Sequence, residues 1–338
     1  MSTARPRVSI AMPVYNSAPT IREALESALE QTYENLEILV VDNASTDGTP
    51  DIVRSYDDTR IVLHENPTNL GPNGNANRSV QLSNGAFVKF LHSDDALFPT
   101  CVERMAEVMA RSPRIGMVFA RRRIVIGDES DPDMVSFRET YQDAQRQFGR
   151  LSEVNDGRRM LARWLDDSFS HNWVGEQSSV MMRREALQRM GLFNPHVRML
   201  TDVEMWARAM FHYDIGFVDD ELSTYRFHAT NLTITQGKMS RWLDRLWMLE
   251  GLAATPEART ALPTLHEAIA TERRRATKVL VRTSVKRPRS TPVLLRGAAT
   301  YGSFVGRRRI GRAIALHPPL LEAPVFAELP PHLEELPR

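Results

Sequence analysis

The first 120 residues alternate between two hydrophobic rhythms. Val8-Ser9-Ile10-Ala11-Met12 is a short apolar run that predicts a buried strand stopped at Pro13. From Thr20 the apolar positions Ile21, Ala24, Leu25, Ala28 and Leu29 recur at three and four, the spacing of a helix face. Leu36 to Val41 is almost continuously apolar, as in a strand covered on both faces. A turn cluster follows from Asp42 to Thr49, then a short helix from Pro50 and a strand over Arg60 to Leu63. Asn66 to Asn77, rich in Asn, Gly and Pro, reads as largely irregular, with a helix from Asn75 to Leu82. Ala86 to Leu91 is a further strand, which runs into Asp94-Asp95. A helix over Thr100 to Ala110 and a strand over Ile115 to Ala120 complete the series. Strand and helix in strict alternation imply a mostly parallel sheet with right-handed crossovers, an α/β fold.

The rhythm then weakens. Arg121 to Asn155 is polar and reads as a long loop over the site. Met160 to Leu165 is helical, His171 to Glu176 a loop, Ser178 to Arg183 a strand, and Arg184 to Met190 a helix closed by Gly191. Asp202 opens a helix that carries Val203, Trp206, Met210 and Phe211. Ile215 to Val218 and Leu222 to Phe227 read as two strands, and mainly helices follow from Trp242 to about Val285.

Composition changes this picture little. At 338 residues, 42% hydrophobic and 25% charged, the chain fits one large or two moderate globular units. A single cysteine, Cys101, excludes an internal disulfide framework and fits a reducing compartment. Met1 to Arg7 lacks an apolar leader core, and no stretch approaches about 18 uninterrupted apolar residues, so a cytoplasmic protein is expected. The net charge of +1 hides an asymmetry. Residues 273–312 hold 13 Lys and Arg and no Asp or Glu, so the rest carries −12, the total of +1 less these 13. Such a block suits an anionic partner, an anionic membrane surface among them, or else a solvated helical face or a docking surface for the acidic body. No zinc or RNA-binding motif accompanies it, so no nucleic acid is expected.

Three acidic clusters carry the candidate chemistry. Asp42 directly follows a strand and suits an imide N–H or a sugar hydroxyl, whereas Asp47 reads as a turn and cap. Asp94-Asp95 exceeds what capping needs, and two adjacent carboxylates with open positions between them suit Mg²⁺ or Mn²⁺. Asp202 would serve as a general base if it lay near a bound donor, with Glu204 as its rival. His228, just past a strand, and its neighbour Arg226 are natural phosphate or metal partners.

In this order the motifs resemble the inverting family 2 glycosyltransferases of GT-A fold. Pro13-Val14-Tyr15-Asn16, Val41 to Thr49, Asn69-x-Gly71 with Asn77, Phe90 to Asp95, Asp202-x-x-Met205-Trp206-x-Arg208 and Tyr225-Arg226-x-His228 carry the resemblance, over roughly Val8 to Thr233. His92 departs from it, standing where many members have the first acid of a D-x-D triplet; Ala76 and Thr201 depart as well. The resemblance implies a nucleotide-binding half over 1–100 and an acceptor half over 101–233, followed by a helical extension over 234–338. It implies that Asp42, Pro13 and Tyr15 bind the base of a nucleotide-diphosphate sugar, and that Asn69 belongs to the donor site. It further implies that Asp94 meets the ribose, that Asp95 and His228 hold Mg²⁺ or Mn²⁺, and that Arg226 contacts the diphosphate, with Arg78 a further phosphate contact. Asp202 would deprotonate a hydroxyl of a saccharide or lipid-linked acceptor, in surface polysaccharide or glycan synthesis. Two rival readings stand beside it. A nucleotidyltransferase would show a Gly-rich basic loop near the N-terminus, which Val8 to Thr20 lacks. A non-catalytic nucleotide-binding module would not need Asp95 and Asp202 together.

Overall fold

The computed structural model describes residues 5–194, 197, 199–228, 238–254 and 256–286. Its centre is one eight-stranded sheet of order β3-β2-β1-β4-β7-β5-β8-β6. The strands are β1 (Val8–Val14), β2 (Leu36–Asp42), β3 (Ile61–Glu65), β4 (Phe87–Phe90), β5 (Ile115–Ile126), β6 (Val154–Asn155), β7 (Val180–Arg183) and β8 (Asp214–Phe227). Pairing is parallel among β3, β2, β1 and β4 and between β5 and β8. It is antiparallel where β7 inserts between β4 and β5, and at the short β6. The sheet is therefore mostly parallel, as the alternation predicts. Because β7 reverses direction between two parallel groups, the C-terminal ends of β1, β2, β4 and β8 share one edge with the N-terminal end of β7.

Successive side chains leave the sheet on opposite faces. Ile10, Met12, Phe87, Val118 and Ala120 join one core with helices α1 (Ile21–Leu29) and α4 (Cys101–Ala110). Ala11, Val88, Phe90, Met117 and Phe119 join the other, with α6 (Gly157–Leu165) and α8 (Thr201–His212). Leu246, Trp247, Leu249, Leu262, Leu265 and Ile269 belong to this second core. They come from α9 (Lys238–Ala254), α11 (Leu265–Lys286) and the turn before it; α10 (Pro256–Ala261) lies between those helices. The remaining helices are α2 (Thr49–Arg54), α3 (Gly71–Leu82), α5 (Pro132–Tyr141) and α7 (Arg184–Met190).

Four expectations are corrected. First, β1 does not stop at Pro13 but runs to Val14. The Ala11 carbonyl accepts from Leu91 N, so Ala11 and, two residues on, Pro13 face the β4 side. The β1–β4 ladder ends at Ala11 and Phe90, so the missing N–H of Pro13 breaks no bond. Second, α3 begins at Gly71 rather than Asn75, with Pro72 in its first turn, where a missing N–H does no harm. Third, 121–155 is not a long loop. Strand β5 continues to Ile126, α5 follows with Asp131 as its cap, and Ala144–Phe148 is a 3-10 turn. Arg121-Arg122-Arg123 interrupts the apolar run, yet Arg122 pairs with Glu176 at 2.7 Å and Arg123 with Glu221 at 3.1 Å, so the strand survives. Fourth, 214–227 is one strand, paired with β5 from Asp214 to Phe227 across irregularities at Ile115/Met117 and between Ala120 and Arg122.

The basic stretch 273–312 is described only to Lys286, as the end of α11; the rest of it lies outside the described residues. Among those described, no helix is long and apolar enough to cross a membrane.

Candidate active site

The candidate residues gather along the shared sheet edge in three groups. The first is at the ends of β1 and β2. Val14 and Asp42 are register partners, which sets the exposed Tyr15 beside the buried Asp42. Asp42 Oδ2 accepts from Ser45 N at 2.9 Å, while Oδ1 is buried without a donor in the protein. A buried acceptor left open in this way favours an N–H or O–H brought by a ligand. The Asn-rich segment braces this corner. Asn43 joins Asn66, Asn69 and the Leu70 amide, and Asn66 joins Asn75, which in turn holds the Val14 and Val41 carbonyls. Asn69 uses its Oδ1 on Asn43 and the Gly71 amide. Against the effect of burial, the Thr49 hydroxyl, with the amides of Ala18 and Thr49, pulls the Asp47 carboxyl below the ordinary range. It is the turn brace that the sequence predicts. Arg78, on α3, lies near enough to His64 of β3 to help burial depress that imidazole, and makes no hydrogen bond to the acid pair.

The second group is the acid pair and its partners from β8. The segment after the pair is strapped to β8: Thr224 N donates to the Ala96 carbonyl at 2.8 Å and Phe98 N to the Leu222 carbonyl at 2.9 Å. This strap brings Arg226 N to Asp95 Oδ1 at 2.9 Å and Arg226 Nε to the Asp94 carbonyl at 3.0 Å. The far end of the guanidinium meets both oxygens of Glu23 on α1 at 2.8 Å. His228 Nε2 lies 3.3 Å from Asp94 Oδ2. Asp95 Oδ2 accepts from Ser178 Oγ at 2.5 Å. Burial first, and the Asp94 carboxylate second, push Asp95 well above the ordinary carboxylate range. Beneath it lies the fully buried Lys89, whose ammonium donates to the Phe90 and Ser178 carbonyls. Burial lowers its pKa.

The described residues contain no cage of three or more His, Cys, Asp or Glu side chains. Two adjoining carboxyls, one of them buried and raised by burial and by its neighbour, with an imidazole beside the other, fit a dication with few protein ligands, whose charge would offset that burial and repulsion and favour the carboxylate form.

The third group surrounds Asp202. This residue sits in the first turn of α8, but it is not the cap, which is Leu200. Its Oδ1 accepts from Val203 N at 2.8 Å and its Oδ2 from Asn172 Nδ2 at 2.9 Å. Burial pushes its pKa up to about 6, opposed by the Val203 amide. Asn172 is fixed in turn by the amides of Val174 and Gly175 and the Gly175 carbonyl. Gly175 has φ +112, and a Cβ there would lie 2.6 Å from Ser179 Oγ, so this turn requires glycine. Asp202 lines a pocket with Phe137, Tyr141, Glu176, Tyr225 and Arg241. Glu204 does not compete with it. That carboxylate is fully buried and paired with Arg208 at 2.6 Å, and Arg208 also donates to the Met190 and Leu192 carbonyls.

The sequence did not point to Asn172, Glu176 or Ser178. Their partners, Asp202, Arg122 and Asp95, stand 30, 54 and 83 residues away. No local spacing marks such pairs.

Comparison with known proteins agrees with this geometry. The family model described as Glycosyl transferase family 2 matches residues 9–190. An uncharacterized protein of Mycobacterium tuberculosis is 31% identical over 257 residues, 76% of this chain and 78% of its own. The Escherichia coli UDP-Glc:alpha-D-GlcNAc-diphosphoundecaprenol beta-1,3-glucosyltransferase WfaP is 38% identical over 102 residues, 30% of this chain and 41% of its own. Among solved structures, Staphylococcus aureus TarS 1–349 in complex with UDP-GlcNAc superposes with a TM-score of 0.62 at 17% identity, covering 90% of this chain and 82% of TarS. The mannosyltransferase PcManGT from Pyrobaculum calidifontis, in complex with GDP-Man and Mn²⁺, superposes with a TM-score of 0.50 at 23% identity, covering 94% and 83%. With a family match over more than half its length and this sheet architecture, the chain belongs to glycosyl transferase family 2 and has the GT-A fold.

Proposed function

We propose that the protein is an inverting glycosyltransferase, which moves a sugar from a nucleotide-diphosphate sugar to an acceptor hydroxyl. The observation that carries this reading is the separation of duties along the edge. A buried open acceptor sits at Asp42, Arg226 and His228 flank Asp94, and a pocket of its own holds Asp202. Asp42 takes a base N–H, with Pro13 and Tyr15 beside it, and Asn69 shapes that corner. Asp94 meets the ribose. Arg226 contacts the diphosphate, and Arg78 is an outer phosphate contact. Asp95 and His228 are the residues that would hold Mg²⁺ or Mn²⁺, which when bound stabilises the leaving diphosphate.

Asp202 is the base. It takes the acceptor proton as the hydroxyl oxygen bonds to the anomeric carbon. The bond from that carbon to the diphosphate oxygen breaks with its electron pair, and the configuration inverts. A carboxyl near 6 accepts a proton and releases it at neutral pH better than one near 3.8.

The name of the Escherichia coli relative supports a lipid-linked acceptor and a role in polysaccharide synthesis. The basic stretch 273–312 would then hold the enzyme at an anionic inner membrane face. Liposome sedimentation independent of anionic lipid and of salt would count against that placement.

The test of the reaction is the product. A panel of UDP- and GDP-sugars screened by thermal shift, with and without Mn²⁺, identifies the donor. NMR of the product of an α-linked donor should then show a β linkage. A retained configuration contradicts the reading.

A further inference from the structure

The pocket of Asp202 contains a cation for which the transfer step has no use. Arg241, from α9, lines it with Phe137, Tyr141, Ser170, Asn172 and Glu176. The side chain is half-buried, and no described carboxylate pairs with it. The other charged residues that line this pocket are engaged: Glu176 pairs with Arg122 at 2.7 Å, and Asp202 accepts from Asn172 at 2.9 Å. Outside the lining, Arg245 donates to Ser170 Oγ at 2.7 Å, and His171 pairs with Asp167 at 3.1 Å. The rings of Phe137 and Tyr141 line the same pocket, with centroids 4.6 Å apart. Phe137 is itself stacked on Phe227 at 3.8 Å and 4°, so this wall is rigid. An aromatic wall suits the apolar face of a sugar ring, and a guanidinium with open donors suits a carboxylate or phosphate. The family match ends at residue 190, so membership alone does not predict this arginine.

We propose that the acceptor is an anionic sugar, whose ring packs on Phe137 and Tyr141 and whose carboxylate or phosphate is bound by Arg241, with a free hydroxyl at Asp202. The proposal rests on the assignment of Asp202 as the acceptor base and names the class of acceptor that this pocket selects.

The test is binding of D-glucuronate, D-glucose 6-phosphate and D-glucose to the full chain, measured by saturation-transfer NMR. UDP and GDP binding are measured in parallel by calorimetry. At least one anionic sugar should bind about tenfold or more tightly than glucose, the scale of one charge-assisted hydrogen bond. Arg241→Gln should remove that preference, Arg241→Lys should retain part of it, and neither should change nucleotide affinity. Preference for glucuronate alone assigns a carboxylate, and for glucose 6-phosphate alone a phosphate. No preference for either anion, or a preference that Arg241→Gln leaves intact, overturns the proposal. Nucleotide binding in that case leaves the glycosyltransferase reading standing. Loss of all nucleotide binding by the unaltered chain tells against that reading itself.

Discussion

Asn172 holds Asp202: the side-chain amide donates to Oδ2 at 2.9 Å, and the same amide is pinned by the turn at Gly175. The base is thereby fixed by a loop from a distant part of the chain. Asn172→Ala should lower kcat by about tenfold to a hundredfold, since misplacement of about 1 Å has that cost, while donor KM stays unchanged. Steady-state kinetics would check this, and an unchanged kcat would remove Asn172 as a positioning residue.

The raised carboxyl of Asp202 also predicts a pH effect on stability. In the folded chain it titrates at about 6, against an ordinary value of 3.8, so between those values the folded state binds more protons than the unfolded one. Stability therefore falls as pH rises through that window, and the cost is fully present above it. Asp202→Asn lacks this titration. Its Tm should exceed that of the unaltered chain at pH 7.5, and the gap should close towards pH 4. A constant gap across that range would show that the carboxyl is not raised.

Glu204 and Arg208 predict the opposite kind of result. Both are fully buried and paired. Arg208→Met strands the carboxylate and should cost about 3–5 kcal/mol in urea unfolding, the scale of a broken buried pair. Replacing both, with Glu204→Leu and Arg208→Met, should recover much of that loss. Nucleotide affinity of the folded fraction should not move in either variant.

At Asp42 the effect should fall on binding alone. Asp42→Asn can keep the bond from Ser45 N but offers an amide in place of the open Oδ1. UDP or GDP affinity should drop by about tenfold to a hundredfold, the range for a buried charged hydrogen bond. The Tm of the free protein should change little. Equal affinity by calorimetry would move the base pocket elsewhere.

The parallel half of the fold was legible because each of its strands is a short apolar run closed by turn residues. Legibility failed where charge lies inside a strand. Arg121 to Arg123 hid the second half of β5, because their partners Glu176 and Glu221 are remote in sequence. It failed again at α5, whose polar and apolar residues are barely segregated, although its Asp131 cap was there to be read. In the candidate site, Asp42, Asp94, Asp95 and Asp202 stood out as acids after strands or before a helix. That Arg226 N meets Asp95 across 131 residues follows only from the strap of 96–98 on β8. The choice of Asp202 over Glu204 needed Arg208 in place, which spacing alone does not supply.

The central claim is that Asp202 removes the acceptor proton. The direct measurement compares Asp202→Asn with the unaltered chain in single-turnover transfer at saturating donor, with donor affinity measured on the same samples. Transfer should fall by about a hundredfold to ten-thousandfold, the usual contribution of a general base, while donor affinity stays the same. Near-full transfer by the variant with donor bound would contradict the account.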